Sequence, residues 1–144
     1  MQIFLMVIDF SIDEFLGGKL KIKQPKKGYR AGIDPVLLAA SVNASKGDNI
    51  LELGCGVGVA SLCLAKRVAG LNIYGVEIQS DYAALATENS QLNSMDLNVV
   101  SADIGRLPDS VKQIQFDHVM ANPPYFERLA STMSFNRAVM LLEY

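Results

Sequence analysis

The sequence predicts an α/β domain built on a mostly parallel sheet and preceded by an antiparallel hairpin. Short apolar runs alternate with segments of helical spacing from Asn49 to Met120, the pattern of strands joined by crossover helices. A glycine-rich corner, Gly54-Cys55-Gly56-Val57-Gly58, links the first of these runs to the first of these helices. Acids stand at or just past the ends of successive runs: Glu77 follows Glu52 by 25 residues, and Asp103 follows Glu77 by 26.

Taken in order, Met1 to Ile8 is apolar apart from Gln2, carries no basic leading segment and runs into Asp9. It is too short to span a bilayer, so neither a signal peptide nor an anchor is expected. Asp13 to Gln24 holds Gly17-Gly18 ahead of the alternating Lys19-Leu20-Lys21-Ile22-Lys23, which reads as a hairpin with one lysine-lined face. Pro25 ends it, and Lys26 to Arg30 form a polar loop. Asp34 is a natural N-cap and Pro35 a natural first helical residue, so a helix should start there and bury Val36, Leu37 and Ala40. Lys46-Gly47-Asp48 turns the chain into a central strand, Asn49 to Leu53.

Val59, Leu62, Cys63 and Lys66 keep helical spacing through Val68. Leu71 to Glu77 supplies a second core strand, Ser80 and Asp81 start a helix to about Asn93, and Leu97 to Val100 is a third strand. Gln115 to Met120 is a fourth, running into Ala121-Asn122-Pro123-Pro124-Tyr125, and Asn136 to Tyr144 reads as a helix. There is no internal repeat and no low-complexity segment.

A chain of 144 residues buries about 68% of its unfolded surface, enough for one domain. Half of its residues are hydrophobic and 19% are charged, which excludes a disordered chain. Two cysteines, Cys55 and Cys63, give no disulfide framework, so a reducing cytoplasm is expected. His118 stands alone in an apolar run without companion ligands; it reads as a core or strand-end residue, and no metal site is expected. The formal charge of −2 is uneven: Lys19, Lys21, Lys23, Lys26, Lys27 and Arg30 fall within twelve positions that contain no acid. A basic patch on an otherwise acidic body is the footprint of a phosphate-backbone partner, and a solubilising strand face is the plainer alternative.

Glycines at a strand-to-helix corner let a ligand approach the backbone, and the helix N-terminus offers unpaired N–H groups. The dinucleotide fingerprint G-x-G-x-x-G/A does not fit: its sixth position is Val59 counted from Gly54 and Ser61 counted from Gly56. Glu52 would also repel a pyrophosphate and would suit a cationic ligand. The stretch resembles motif I, E/D-x-G-x-G-x-G, of class I S-adenosylmethionine (SAM) methyltransferases, whose sheet is Rossmann-like. The resemblance implies that Gly54, Gly56 and Gly58, with Cys55, face the methionine and ribose of SAM, and that Glu52 lies near its amino-acid moiety. An acid ending the second core strand, Glu77, can accept both ribose hydroxyls, as in motif II of that family. Asp103 resembles the motif III acid near the adenine amine, and the neighbouring Ile78 and Ile104 are expected at the cofactor too.

Asn122-Pro123-Pro124-Tyr125 carries the chemistry. Consecutive prolines supply no backbone N–H and are confined in φ, so the carbonyl between them is free to face the crevice beside the Asn122 side-chain oxygen. Two fixed acceptors suit a planar NH₂ group and favour charge build-up on its nitrogen as it attacks the sulfonium methyl. Tyr125 can stack on a flat substrate. This run resembles motif IV of amino-methyltransferases, which act on adenine N6, guanine N2 or glutamine N5. Tyr125 argues against the guanine branch, which usually has Phe there. The glutamine branch usually has a helical N-terminal domain, which is not expected ahead of the hairpin here.

Residues 10 to 126, with Gln24-Pro25-Lys26-Lys27-Gly28-Tyr29-Arg30-Ala31-Gly32-Ile33-Asp34-Pro35, look like the bacterial adenine-N6 methyltransferases that modify a valine tRNA. That likeness implies Asp34 at the methionine end of SAM and the lysine hairpin near tRNA. It implies a cofactor set of Asp34, Glu52, Gly54, Cys55, Gly56, Gly58, Glu77, Ile78, Asp103, Ile104 and Asn122. The expected organisation is one SAM-binding domain over residues 1–144, with a basic hairpin and loop at 10–30 and a Rossmann-like core at 31–144.

Complete members of the family carry further strands beyond N-P-P-Y. A sheet truncated after the fourth core strand is therefore expected, its last strand an exposed edge at which two copies could pair. The expected activity is methylation of adenine N6 in tRNA. The alternatives are glutamine-N5 methylation of a release factor and a non-catalytic SAM-fold module that binds RNA.

Overall fold

The computed structural model describes residues 9–123. Met1 to Ile8, Pro124, Tyr125 and the helix expected over Asn136 to Tyr144 lie outside the described residues.

Strands β1 (Phe10–Phe15) and β2 (Leu20–Pro25) form the antiparallel hairpin. Helix α1 (Asp34–Ser41) leads to β3 (Asn49–Leu53), and α2 (Val59–Arg67) to β4 (Asn72–Glu77). Helix α3 (Ser80–Leu92) then leads to β5 (Asn98–Ser101), and a 3₁₀ turn (Ile104–Arg106) and α4 (Asp109–Lys112) to β6 (His118–Ala121). Among the described residues the second sheet has the order β5-β4-β3-β6, and every pairing in it is parallel. This is the parallel α/β sheet that the alternation of strands and helices predicts.

Side-chain alternation sends β3 into two cores, which is why its run reads as continuously apolar. Ile50, Ile73 and Met120 face α2, α3 and the hairpin, whereas Leu51 and Val76 face Val111 of α4. On that second face Tyr74 and Phe116 meet edge to face, with ring centroids 5.6 Å apart. His118 opens β6, its Nε2 3.3 Å from Asp48, so it is a strand-end residue.

Helix α1 begins differently from its expected form. Ile33 occupies the cap position, its carbonyl accepting from both Val36 N (3.0 Å) and Leu37 N (3.1 Å), and Asp34 becomes the first helical residue with no capping bond. The helix packs on α2 through Pro35 and Ala39, one turn apart, so Leu37 and Ala40 are exposed and Val36 is half-buried. Strand β5 starts one residue later than expected, and the side chain of Leu97, just before it, packs over Gly58.

The hairpin is fastened to the core by more than its buried Leu20 and Ile22. Asn89, in the last turn of α3, and Asn93, which caps that helix, continue the hydrogen-bond ladder along β2 with their carboxamides. Lys23 N donates to Asn89 Oδ1 (2.7 Å) and Asn89 Nδ2 donates to Lys23 O (3.0 Å); Asn93 makes the same pair with Lys21 at 2.9 and 2.7 Å. Asn89 Nδ2 also donates to Val57 O (2.9 Å), so one wholly buried side chain ties the hairpin to the glycine corner. Among the described residues no helix is long and apolar enough to cross a membrane.

Candidate cofactor and amine site

The carboxyl end of the sheet gathers the residues singled out from the sequence. Past β3, Gly54 N and Cys55 N both donate to Val76 O (2.8 and 3.0 Å), and Gly58 N donates to Cys55 O (2.9 Å), closing a tight turn into α2. Gly54 and Gly56 have φ of +70° and +54°, and a Cβ on either would meet nothing within 4 Å. Glycine is needed there for the backbone's hand, and the space left open can be filled by a ligand. Gly58 is needed for packing: a Cβ would stand 3.2 Å from Leu97 Cδ2 and 3.4 Å from Ala86 Cβ.

The turn borders a cleft whose wall also includes Glu52, Val59, Ala60 and Asn122. Tyr29, Ala31 and Pro35 close it from the side of the hairpin loop and α1. Cys55 borders the cleft while its sulfur packs on Gly75, where any Cβ would come within 2.8 Å of it. Burial drives the Cys55 thiol far above its usual range and pushes Cys63 up to about 11, so neither is a nucleophile at neutral pH.

Glu52 is buried at the end of β3, and both of its hydrogen bonds land on Oε2, from Ser61 N (3.1 Å) and from the Ser61 hydroxyl. Burial is the largest influence on this carboxyl and pushes it up to about 7, with the Ser61 bonds pulling it down and nearby Glu77 adding a smaller upward push. Glu77 holds the turn from the next strand, Oε2 accepting from Gly56 N (2.9 Å) and Oε1 from Gln79 N (2.8 Å). Each of its oxygens keeps a second lone pair for a ligand hydroxyl. Open backbone at Gly54 and Gly56, a buried carboxylate and a second acid at the next strand end fit a ligand with a cationic end and a diol.

Farther along the sheet end, Asp103 is exposed and caps the 3₁₀ turn, its Oδ1 accepting from Gly105 N (2.8 Å). Ile104 packs against the second core, and Ile78 is an exposed apolar residue just past β4. Asp34 is exposed on α1. These four do not line the cleft, and neither do Glu77 and Gly58, which act on the turn beside it.

Asn122 follows β6 and is half-buried, and its Nδ2 donates to Tyr29 Oη at 3.5 Å, which leaves Oδ1 as its acceptor. Pro123 is exposed beside it. The glycine corner and the asparagine of N-P-P-Y, 64 or more residues apart in sequence, thus share one cleft because β3 and β6 are adjacent and parallel.

The basic run is less free than its sequence suggests. Lys23 pairs with Glu88 (3.0 Å) and lies over the Phe10 ring, Lys26 pairs with Asp9 (3.0 Å), and Arg30 pairs with Asp13 (2.6 Å). Lys19, Lys21 and Lys27 have no ion pair among the described residues. Arg30 is a clamp: it also donates to Ser11 Oγ (3.0 Å) and Pro25 O (2.9 Å). Buried Gln24 completes the clamp, donating to Asp13 Oδ2 (2.8 Å) and accepting from Ala31 N (2.7 Å). This network sets the loop that carries Tyr29 to Asn122. Tyr29 and Ser61 are site residues that motif reading passes over; a tyrosine two residues before a cleft-lining alanine and a serine in a helix's first turn carry no spacing signal of their own.

The methyltransferase small domain family model matches residues 31–141. A tRNA1(Val) (adenine(37)-N6)-methyltransferase of Flavobacteriaceae bacterium strain 3519-10 is 36% identical over 109 residues, covering 76% of this chain and 47% of that protein. A Methanocaldococcus jannaschii protein named for protein N5-glutamine methylation is 31% identical over 121 residues, covering 81% of this chain and 59% of its own length. Among solved structures, the T. thermophilus 16S rRNA N2 G1207 methyltransferase, in complex with SAM and guanosine, superposes with a TM-score of 0.68. It is 18% identical and covers 92% of this chain and 38% of its own. The chain spans about half or less of the length of the first curated relatives it matches.

Proposed function

Because the chain belongs to the methyltransferase small domain family, we propose that it binds SAM at the β3–α2 corner and transfers its methyl group to an exocyclic amine, adenine N6 of a tRNA. The observation that carries this reading is the shared cleft: Asn122 lines the same cleft as Gly54 and Gly56, so an amine held by Asn122 Oδ1 would share that cleft with whatever the corner binds. Gly54 and Gly56 would cradle the methionine and ribose, Gly58 would hold their turn against Leu97 and Ala86, Glu52 would take the cationic end, and Glu77 would accept the ribose hydroxyls. SAM supplies the electrophilic methyl.

The chain's own residues position and polarise the amine. Asn122 Oδ1 and the Pro123 carbonyl accept its two N–H groups, which raises the electron density available at nitrogen. Held by these two acceptors, the amine nitrogen would take the methyl that bound SAM would give up with the loss of its sulfonium charge, and the amine's extra proton would pass to water. No strong base is required, because orientation and electrostatics supply the acceleration. Tyr125 would stack on the base, and Lys19, Lys21 and Lys27 are the cations best placed to meet tRNA phosphates. Lys23 and Lys26 can exchange their surface acids for phosphate, since such ion pairs contribute at most about 1 kcal/mol. Arg30 is assigned to the loop clamp and to substrate only through it. A cytoplasmic setting belongs to the same proposal, and what supports it is that Cys55 and Cys63 are both free thiols.

Glutamine-N5 methylation is the second reading, favoured by the archaeal relative named for it. Incubation of the chain and labelled SAM with unmodified tRNA or with release factor, read by nucleoside and peptide mass spectrometry, separates the two. N6-methyladenosine in the tRNA is the expected product; label confined to a glutamine overturns the tRNA reading.

A further inference from the structure

We propose that Ser61 is the positioning residue of the cofactor site: it claims Oε2 of Glu52 with both its hydroxyl and its amide, and so presents Oε1 to the cleft as the acceptor for the cofactor's cationic end. This rests on the SAM reading above and adds a residue and a proton to it.

The geometry is specific. Ser61 is fully buried in the first turn of α2, a turn whose cap, Gly58, has no side chain to satisfy the helix's free N–H groups. Glu52 fills that role from the neighbouring strand, Oε2 accepting from Ser61 N at 3.1 Å and from Ser61 Oγ. No donor among the described residues takes Oε1, and Glu52 borders the cleft. Because Oε2 is already an acceptor twice over, a proton on this carboxyl resides on Oε1, the oxygen an ammonium group would meet. Binding the cation therefore expels that proton to solvent: the O–H bond breaks, the electron pair stays on Oε1, and the ammonium takes the proton's place.

The titratable groups facing Glu52 are few. Glu77 at the end of β4 disfavours its ionised form, and Cys55 and Cys63 stay neutral, as their raised values require. Tyr29 borders the same cleft from the hairpin loop, while Asp34 on α1 is exposed outside it. With burial holding Glu52 at about 7, the empty site carries the proton in acid and loses it above neutrality.

Calorimetric titration with SAM in phosphate and in Tris, whose ionisation enthalpies differ, counts the protons released. Close to one proton is expected at about pH 6 and about half a proton at about pH 7. 5′-Methylthioadenosine, which lacks the ammonium group, should release none. Ser61→Ala removes a bond that favours the charged carboxylate, so its affinity–pH profile should move up by roughly one unit and its affinity at neutral pH fall by roughly fivefold. A merely structural serine would lower affinity at every pH without moving the midpoint. If Ser61→Ala does not fold, Glu52→Gln decides, because it should bind SAM with no proton release at any pH. Proton release by Glu52→Gln, or an unmoved midpoint in Ser61→Ala, overturns the inference. Failure of the folded wild-type chain to bind SAM at all overturns the cofactor reading itself.

Discussion

Asn89→Ala is expected to destabilise the chain by about 3 kcal/mol or more. The Asn89 carboxamide is wholly buried and serves three backbone groups in two separate elements: Lys23 N–H, Lys23 C=O and Val57 C=O. Alanine leaves all three without that partner, Val57 C=O in the interior and the two Lys23 groups partly buried, and each such loss costs about 1–3 kcal/mol. Asn93→Ala removes the analogous pair to Lys21 at a more exposed position, where water substitutes, and should cost about 1 kcal/mol or less. Urea denaturation of the two variants beside the wild type measures the difference. Equal midpoints for Asn89→Ala and Asn93→Ala would contradict the role given to burial. Since Val57 belongs to the glycine corner, the same substitution should also loosen the cofactor site.

Asn122→Ala should lower kcat for methyl transfer by about 10²–10³-fold, the range found when one preorganised polar group is withdrawn from a developing charge. The affinity for SAM should stay within about threefold, because the carboxamide contributes to the amine side of the cleft and Glu52, Glu77 and the glycines contribute to the cofactor side. Single-turnover kinetics with unmodified tRNA and a parallel SAM titration separate the two quantities. Equal losses in kcat and in SAM affinity would place Asn122 at the cofactor and leave the amine without its acceptor.

The parts of the fold legible in the sequence are those set by short-range pattern. β3, the turn at Gly54 to Gly58 and α2 form one continuous signal, and the acid spacing announced the ends of β4 and β5. Gly17-Gly18 between apolar runs announced the hairpin. Less legible were features that depend on distant neighbours. The basic run looks acid-free along the chain, yet Glu88, 65 positions from Lys23, and Asp13, 17 positions from Arg30, neutralise part of it in space. Nothing in the spacing of Asn89 and Asn93 marks them as the partners of β2 that they are. Leu37 reads as core, but α1 turns Pro35 and Ala39 toward α2, and that choice of face belongs to the packing of two helices. Tyr29 reaches Asn122 only because the clamp of Arg30, Asp13 and Gln24 folds the intervening loop over the cleft.

The central claim is that the β3–α2 corner and Glu77 hold SAM. Calorimetric titration of the 144-residue chain with SAM, with Glu77→Ala as control, tests it most directly. One site of micromolar affinity is predicted for the wild type. It should be lost in Glu77→Ala, where Gly56 N and Gln79 N lose their acceptor and the ribose loses its own. A folded, monodisperse wild-type chain that takes up no SAM, or a Glu77→Ala variant that binds it as tightly as wild type, would contradict the account.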